Sequence, residues 1–205
     1  MYVVTSTGLV TGRSHVEVAR AAVEGGATAV QLRAPELGSR ELLPLASDLV
    51  ALCRSQGTLF VVNDAVEVAL KSGADGVHLG QGDDLEAARD RLGPDPVLGI
   101  TVETPLQARR AEELGADYLG VTVWSTSTKP EAVPVGLDGL RDIVAATRLP
   151  VVGIGGVGAS SARQVLEAGV AGVAVVSAVG AAADPVAATR DLVAAAEAFE
   201  REGAT

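Results

Sequence analysis

The chain alternates two kinds of stretch. Short runs rich in Val, Ile, Leu and Tyr are followed by longer segments in which Ala and Leu recur among Glu, Asp and Arg. The short runs predict strands at Tyr2–Thr5, Ala29–Arg33, Leu59–Val62, Gly76–His78, Val97–Gly99, Tyr118–Val121, Val151–Ile154 and Gly172–Val176. The longer segments predict helices at His15–Glu24, Arg40–Arg54, Val66–Ser72, Asp84–Arg91, Pro105–Leu114, Leu137–Thr147, Ser160–Ala168 and Pro185–Glu200. Strands that alternate with helices pair in parallel through crossovers. Eight units in 205 residues allow roughly 26 residues each, near the lower limit of a closed eightfold barrel.

A repeated phrase points the same way. Gly25-Gly26-Ala27-Thr28-Ala29-Val30 resembles Ser72-Gly73-Ala74-Asp75-Gly76-Val77, Leu114-Gly115-Ala116-Asp117-Tyr118-Leu119 and Ala168-Gly169-Val170-Ala171-Gly172-Val173. Each copy is a helix end, a Gly suited to a left-handed cap, then a strand. The copies precede the second, fourth, sixth and eighth strands, so they recur every two units. An open doubly wound sheet is the competing architecture, but it rarely needs eight evenly sized units. The expected fold is α/β, a (β/α)₈ TIM barrel, as a single domain over residues 1–205.

Composition narrows the picture. Aromatic residues are only 2% of the chain, so the core must come from Val, Leu, Ala and Ile, which suits parallel strands covered by helices. A formal net charge of -10 makes nucleic acid and anionic membrane poor partners. No apolar run is long enough to span a membrane, and Met1-Tyr2-Val3-Val4-Thr5 enters a strand pattern at once, with no signal peptide. The lone Cys53 has no partner for a disulfide within the chain and reads as buried and inert. These features predict a soluble, cytoplasmic protein.

In such barrels the active site is built from the loops after the strands. Gln31 and Arg33 follow the second strand, Asn63 and Asp64 the third, and His78, Gln81, Asp83 and Asp84 the fourth. Thr101 and Glu103 follow the fifth, Thr126, Ser127, Thr128 and Lys129 the sixth, Gly155 and Gly156 the seventh, and Ser177 the eighth. The Gly-rich turn Ile154-Gly155-Gly156-Val157-Gly158 can cradle a phosphate with its backbone N–H groups, although glycine also serves any tight turn. Asp64 and Asp83 are hard carboxylates suited to Mg²⁺ beside a diphosphate. Asp64 is equally suited to capping the next helix, and Asp83 with Asp84 to a helix N-terminus. Arg33 and Lys129 can neutralise an anionic substrate. His78 reads as a hydrogen-bonded residue inside the barrel, and His15 as a surface residue at a helix start. Trp124 forms a pocket wall or covers the barrel mouth.

Taken together, Gln31-Leu32-Arg33, Val62-Asn63-Asp64, Gly76-Val77-His78-Leu79-Gly80-Gln81-Gly82-Asp83, Ala116-Asp117-Tyr118, Thr126-Ser127-Thr128-Lys129-Pro130, Ile154-Gly155-Gly156-Val157 and Val176-Ser177-Ala178 resemble the thiamine phosphate synthases and the related thiazole tautomerases. The resemblance spans nearly the whole chain and implies a (β/α)₈ fold. It implies a transferase that joins hydroxymethylpyrimidine diphosphate to thiazole phosphate and releases diphosphate. By this resemblance Asp64 and Asp83 would hold Mg²⁺, and Arg33, Asn63 and Lys129 would grip the diphosphate. Gln31 would face the pyrimidine. Thr126 and Thr128 would contact the thiazole, Gly156, Val176 and Ser177 would seat its phosphate, and Thr101 would supply a catalytic hydroxyl. Phosphorylated small molecules would be the partners, and barrels of this kind often pair as homodimers.

Three positions depart from the family pattern. Pro35 stands where a Lys is usual, Ala65 where an Arg is usual, and Glu103 where the tautomerases carry His. Two missing cations correspond to about two to four powers of ten in binding or rate. Two alternatives therefore stay open. One is a diverged relative, such as a tautomerase-like isomerase or another phosphate-ligand enzyme. The other is a non-catalytic barrel that senses a thiazole phosphate.

Overall fold

The computed structural model describes residues 1–7, 12–126 and 128–203. Eight short strands alternate with helices: β1 (Tyr2–Thr5), α1 (His15–Glu24), β2 (Ala29–Leu32), α2 (Ser39–Arg54), β3 (Leu59–Asn63), α3 (Val66–Ser72), β4 (Gly76–Leu79), α4 (Leu85–Leu92), β5 (Val97–Thr101), α5 (Pro105–Glu113), β6 (Tyr118–Thr122), α6 (Gly136–Ala145), β7 (Val151–Ile154), α7 (Ala162–Leu166), β8 (Gly172–Val175), α8 (Ser177–Gly180) and α9 (Pro185–Gly203). Every strand pairs in parallel with the next, and β1 pairs with β8 to close the barrel. The (β/α)₈ fold read from the pattern is therefore the fold observed.

Outward residues of the strands and the inner faces of the helices form the main core. Val3, Val30, Leu32, Phe60, Val62, Val77, Leu98, Leu119 and Val121 are buried there against Val18, Leu49, Ala108, Leu140 and Leu192. Inside the barrel a second cluster forms from Tyr2, Tyr118 and Ala174, with Ala29, Val97, Val152 and Ile154 packed against it. This is the period-2 split that a barrel requires.

The repeated phrase has one geometry in all four copies. Gly26, Gly73, Gly115 and Gly169 take φ of 88°, 73°, 83° and 90°, the left-handed region that ends a helix and turns the chain into a strand.

Several boundaries move. β3, β5 and β6 run on to Asn63, Thr101 and Thr122, past the ends that the pattern predicts. These polar residues still pair, Asn63 with His78 and Thr101 with Gly120, because they face a pocket and not the packed core. Arg33 and Val176 fall just past their strands. The short helix α8 was not expected, since four residues carry no helical period. His15 is corrected: it is 4% exposed, not a surface residue. Its Nδ1 lies 2.8 Å from Thr5 Oγ1 and its Nε2 3.3 Å from Glu36 Oε1, so the first turn of α1 packs back over the end of β1. Cys53 is buried as expected, and burial pushes its thiol up to about 11.

Candidate active site

Residues after the strands converge at the carboxyl-terminal mouth of the barrel. One pocket there is lined by Gln31 and Arg33 from the end of β2, Asn63 from β3, His78 from β4 and Thr101 from β5. Thr122, Thr126, Thr128 and Lys129 come from β6 and its loop, Ile154, Gly155, Gly156 and Val157 from β7 and its turn, and Val176 and Ser177 from the end of β8. All of the residues nominated from sequence for substrate contact or catalysis are thus brought together. Ser127, within the same motif, lies outside the described residues.

The lining divides into regions of different chemistry. Arg33 and Lys129 supply positive charge beside the neutral amide of Asn63. Thr126 and Thr128 form a hydroxyl pair, with their oxygens 2.9 Å apart. At the third side, Gly155 and Gly156 take φ of 89° and 66° in succession. Two successive positive φ values turn the backbone sharply after β7, and both glycines line the pocket. A Cβ on Gly155 would lie 2.6 Å from the Trp124 carbonyl oxygen, so the turn also needs glycine for space. Trp124 packs behind this turn against the main core and is not part of the pocket lining.

The two carboxylates proposed for metal stand beside this pocket. Asp64 and Asp83 line a neighbouring depression with Glu67, Asp84 and Arg91. Asp64 does not cap α3: the capping position is Ala65, with no side-chain bond. Asp64 instead adopts φ 59°, the one positive φ outside glycine among the described residues. Such backbone strain is found where the side chain must be aimed. Its carboxyl is pushed above its ordinary value, first by desolvation and then by the charge of Asp83. Lys129 and Arg33 pull the other way. Asp83 accepts the Gly80 N–H at 2.7 Å through Oδ2, and Asp84, as read, caps α4 by accepting the Ala87 N–H at 3.0 Å. Among the described residues no group of three or more His, Cys, Asp or Glu is placed to hold a metal.

His78 has a larger part than its sequence reading. It is hydrogen-bonded inside the barrel, as expected, but it also lines the pocket. Its Nδ1 lies 2.9 Å from the Tyr118 hydroxyl and its Nε2 3.0 Å from Thr101 Oγ1. Burial, and then the charge of Lys129, lower its pKa to about 4. Sequence reasoning missed Tyr2, Tyr118 and Thr122. The spacing Tyr118, Gly120, Thr122 was the available signal, since alternate residues of a barrel strand share the inner face. Glu103 accepts from Gln81 Nε2 at 2.7 Å and lies outside the pocket lining.

Fold and site together define a (β/α)₈-barrel enzyme with a cationic, hydroxyl-lined pocket at its carboxyl mouth. The family model described as thiamine monophosphate synthase matches residues 1–179, and the chain belongs to this family. It is 49% identical to a thiamine-phosphate synthase of Moorella thermoacetica, over 94% of this chain and 93% of that one. It is 47% identical to a thiamine-phosphate synthase of Natronomonas pharaonis, over 96% of this chain and 94% of that one. A solved thiamine phosphate pyrophosphorylase from Pyrococcus furiosus superimposes with a TM-score of 0.88 at 41% identity, covering 97% of this chain and 95% of that one. These relatives favour the synthase, a transferase, and give the tautomerase-like alternative no support. Among the described residues no helix is long and apolar enough to cross a membrane.

Proposed function

We propose that this pocket couples hydroxymethylpyrimidine diphosphate to thiazole phosphate and releases diphosphate, with Mg²⁺ as cofactor. The supporting observation is the convergence of Gln31, Arg33, Asn63, Thr101, Thr126, Thr128, Lys129, Gly156, Val176 and Ser177 on one cavity. Cations, hydroxyls and a glycine turn surround the same cavity, chemistry that suits two phosphorylated substrates.

Arg33, Lys129 and the Asn63 amide bind the diphosphate. As it departs, negative charge grows on its bridging oxygen, and fixed cations in a desolvated pocket lower that barrier. The electron-rich pyrimidine carries the resulting benzyl-like cation. Gln31 orients the pyrimidine, with the Thr101 hydroxyl beside it. The Gly155–Gly156 turn and Ser177 seat the thiazole phosphate, and Thr126 and Thr128 hold the ring. The thiazole nitrogen is thereby kept close enough to capture the cation before water does. No side chain has to remove a proton from the nucleophile.

Asp64 and Asp83 fit Mg²⁺. They are hard oxygen donors whose charges oppose one another, and a divalent cation relieves that opposition. Two carboxylates suffice when substrate phosphate and water complete the shell. Bound there, Mg²⁺ would neutralise charge on the departing diphosphate. The buried free Cys53 suits a reducing cytoplasm, and a homodimer is the expected assembly, to be read by sedimentation.

The test is thiamine phosphate formation from the two substrates with and without Mg²⁺, for wild type and Asp64→Ala. Metal-dependent product that vanishes in the variant is expected. Absence of product from the folded wild-type protein would overturn the reading.

A further inference from the structure

A continuous chain of neutral hydrogen-bonding groups crosses the interior of the barrel. Gln31 Nε2 donates to the Tyr2 hydroxyl at 2.7 Å. The Tyr2 and Tyr118 hydroxyls lie 3.0 Å apart. Tyr118 meets His78 Nδ1 at 2.9 Å, and His78 Nε2 meets Thr101 Oγ1 at 3.0 Å. The chain begins and ends on residues that line the pocket, while Tyr2 and Tyr118 do not line it. Space for it is built into the strands. A Cβ on Gly99 would run into the Tyr118 ring, and one on Gly120 would come within 3.0 Å of the His78 ring.

We propose that Tyr2, Tyr118 and His78 form a positioning relay that fixes the hydrogen-bonding sense of Thr101 and Gln31 toward the pyrimidine substrate. The argument is a count of protons. Once the Gln31 amide donates to Tyr2, the Tyr2 proton has the Tyr118 oxygen as its acceptor. The Tyr118 proton then has His78 Nδ1, which must be unprotonated to accept it. The ring proton of His78 is therefore on Nε2 and is donated to Thr101 Oγ1. That leaves the Thr101 O–H free to donate into the pocket and the Gln31 carbonyl oxygen free to accept from it. The reverse sense, with the Gln31 amide turned over, would reverse every link. It would consume the Thr101 proton and present an N–H from Gln31.

The orientation of Gln31, donating to Tyr2, selects the first of these senses, and only that sense presents an acceptor on Gln31 beside a donor on Thr101. The observed sense suits a ring with an amino donor beside a ring-nitrogen acceptor, the edge of an aminopyrimidine. A site built to pair both groups discriminates strongly against rings that reverse them, because its own polar groups would be left unpaired. Burial also raises the Tyr2 and Tyr118 hydroxyls, Tyr2 to about 12, so the links stay neutral. The identity of the ligand rests on the synthase reading, but the sense of the relay does not.

The first test is nitrogen NMR of ligand-free protein labelled with ¹⁵N-histidine. The chain has two histidines, and His78→Asn assigns the pair. Expected is a His78 protonated at Nε2, with Nδ1 bearing the shift of a hydrogen-bond acceptor. Tyr118→Phe should move Nδ1 to the position of an unbonded nitrogen. Protonation at Nδ1 in wild type would overturn the proposal, whatever reaction the enzyme performs. The second test is kinetic. Tyr118→Phe and Tyr2→Phe should each raise KM for the pyrimidine diphosphate by about tenfold, with KM for thiazole phosphate unchanged. Equal changes in both constants, or none in a folded variant, would reduce the network to a structural element and also overturn it. Tyr2→Phe serves as the second variant if Tyr118→Phe does not fold.

Discussion

The Asp75 carboxylate accepts the backbone N–H of Phe60 at 2.7 Å, tying the start of β4 to β3. Two units further on, Asp117 does the same for Leu98 at 2.8 Å and also pairs with Arg89 at 2.6 Å. The repeated Gly-Ala-Asp phrase is therefore a device for sewing neighbouring strands together at the end of the barrel remote from the pocket. Conditions at that end govern stability and not chemistry.

Asp75→Ala should accordingly lower stability by about 1–3 kcal/mol, because a charge-assisted bond to a strand N–H is lost. Urea melts would give that figure, and kcat should be unchanged at a temperature where the variant is folded. A large fall in kcat with unchanged stability would contradict this division of labour.

Asp64 separates stability from function. Its φ of 59° is comfortable for glycine and strained for alanine. Asp64→Gly should therefore be more stable than Asp64→Ala by about 1–2 kcal/mol. Both should lose Mg²⁺-dependent turnover alike. Calorimetry of the two variants beside metal-dependent assays would decide it.

Gly156→Ala tests the phosphate turn. The added methyl would meet the Trp124 Cβ at 3.2 Å at a position with φ of 66°. The turn should open, raising KM for thiazole phosphate while leaving KM for the pyrimidine diphosphate close to wild type. Equal KM changes for both substrates would place the turn elsewhere in the mechanism.

His78 predicts the acid limb of stability. Its pKa falls from an unfolded 6.5 to about 4 in the fold, so between these values the unfolded chain binds the extra proton. Stability from this group is complete above pH 6.5 and is lost as pH falls toward 4. Between pH 7 and 5 the loss should be about 2 kcal/mol. Denaturant melts of wild type should show it, and those of a folded His78→Asn variant should lack it. The same slope in both would assign the acid sensitivity to other groups.

The sequence determined the architecture. Eight apolar runs, eight amphipathic segments and the recurring Gly26, Gly73, Gly115 and Gly169 caps are local signals, since backbone conformation and burial on one face depend on residues close in the chain. It also determined the candidate site, because barrel topology sends every strand end to one mouth. Only the tertiary structure decided what crosses the barrel. Tyr2 and Tyr118 are 116 residues apart, and their hydroxyls meet because β1 and β6 face each other across the barrel interior. His15 became buried for a similar reason: its neighbours Thr5 and Glu36 come from β1 and from the loop after β2. The backbone strain at Asp64 and the contact of Thr101 with His78 were equally invisible. Such features depend on closure of the sheet, which joins side chains that no local pattern relates.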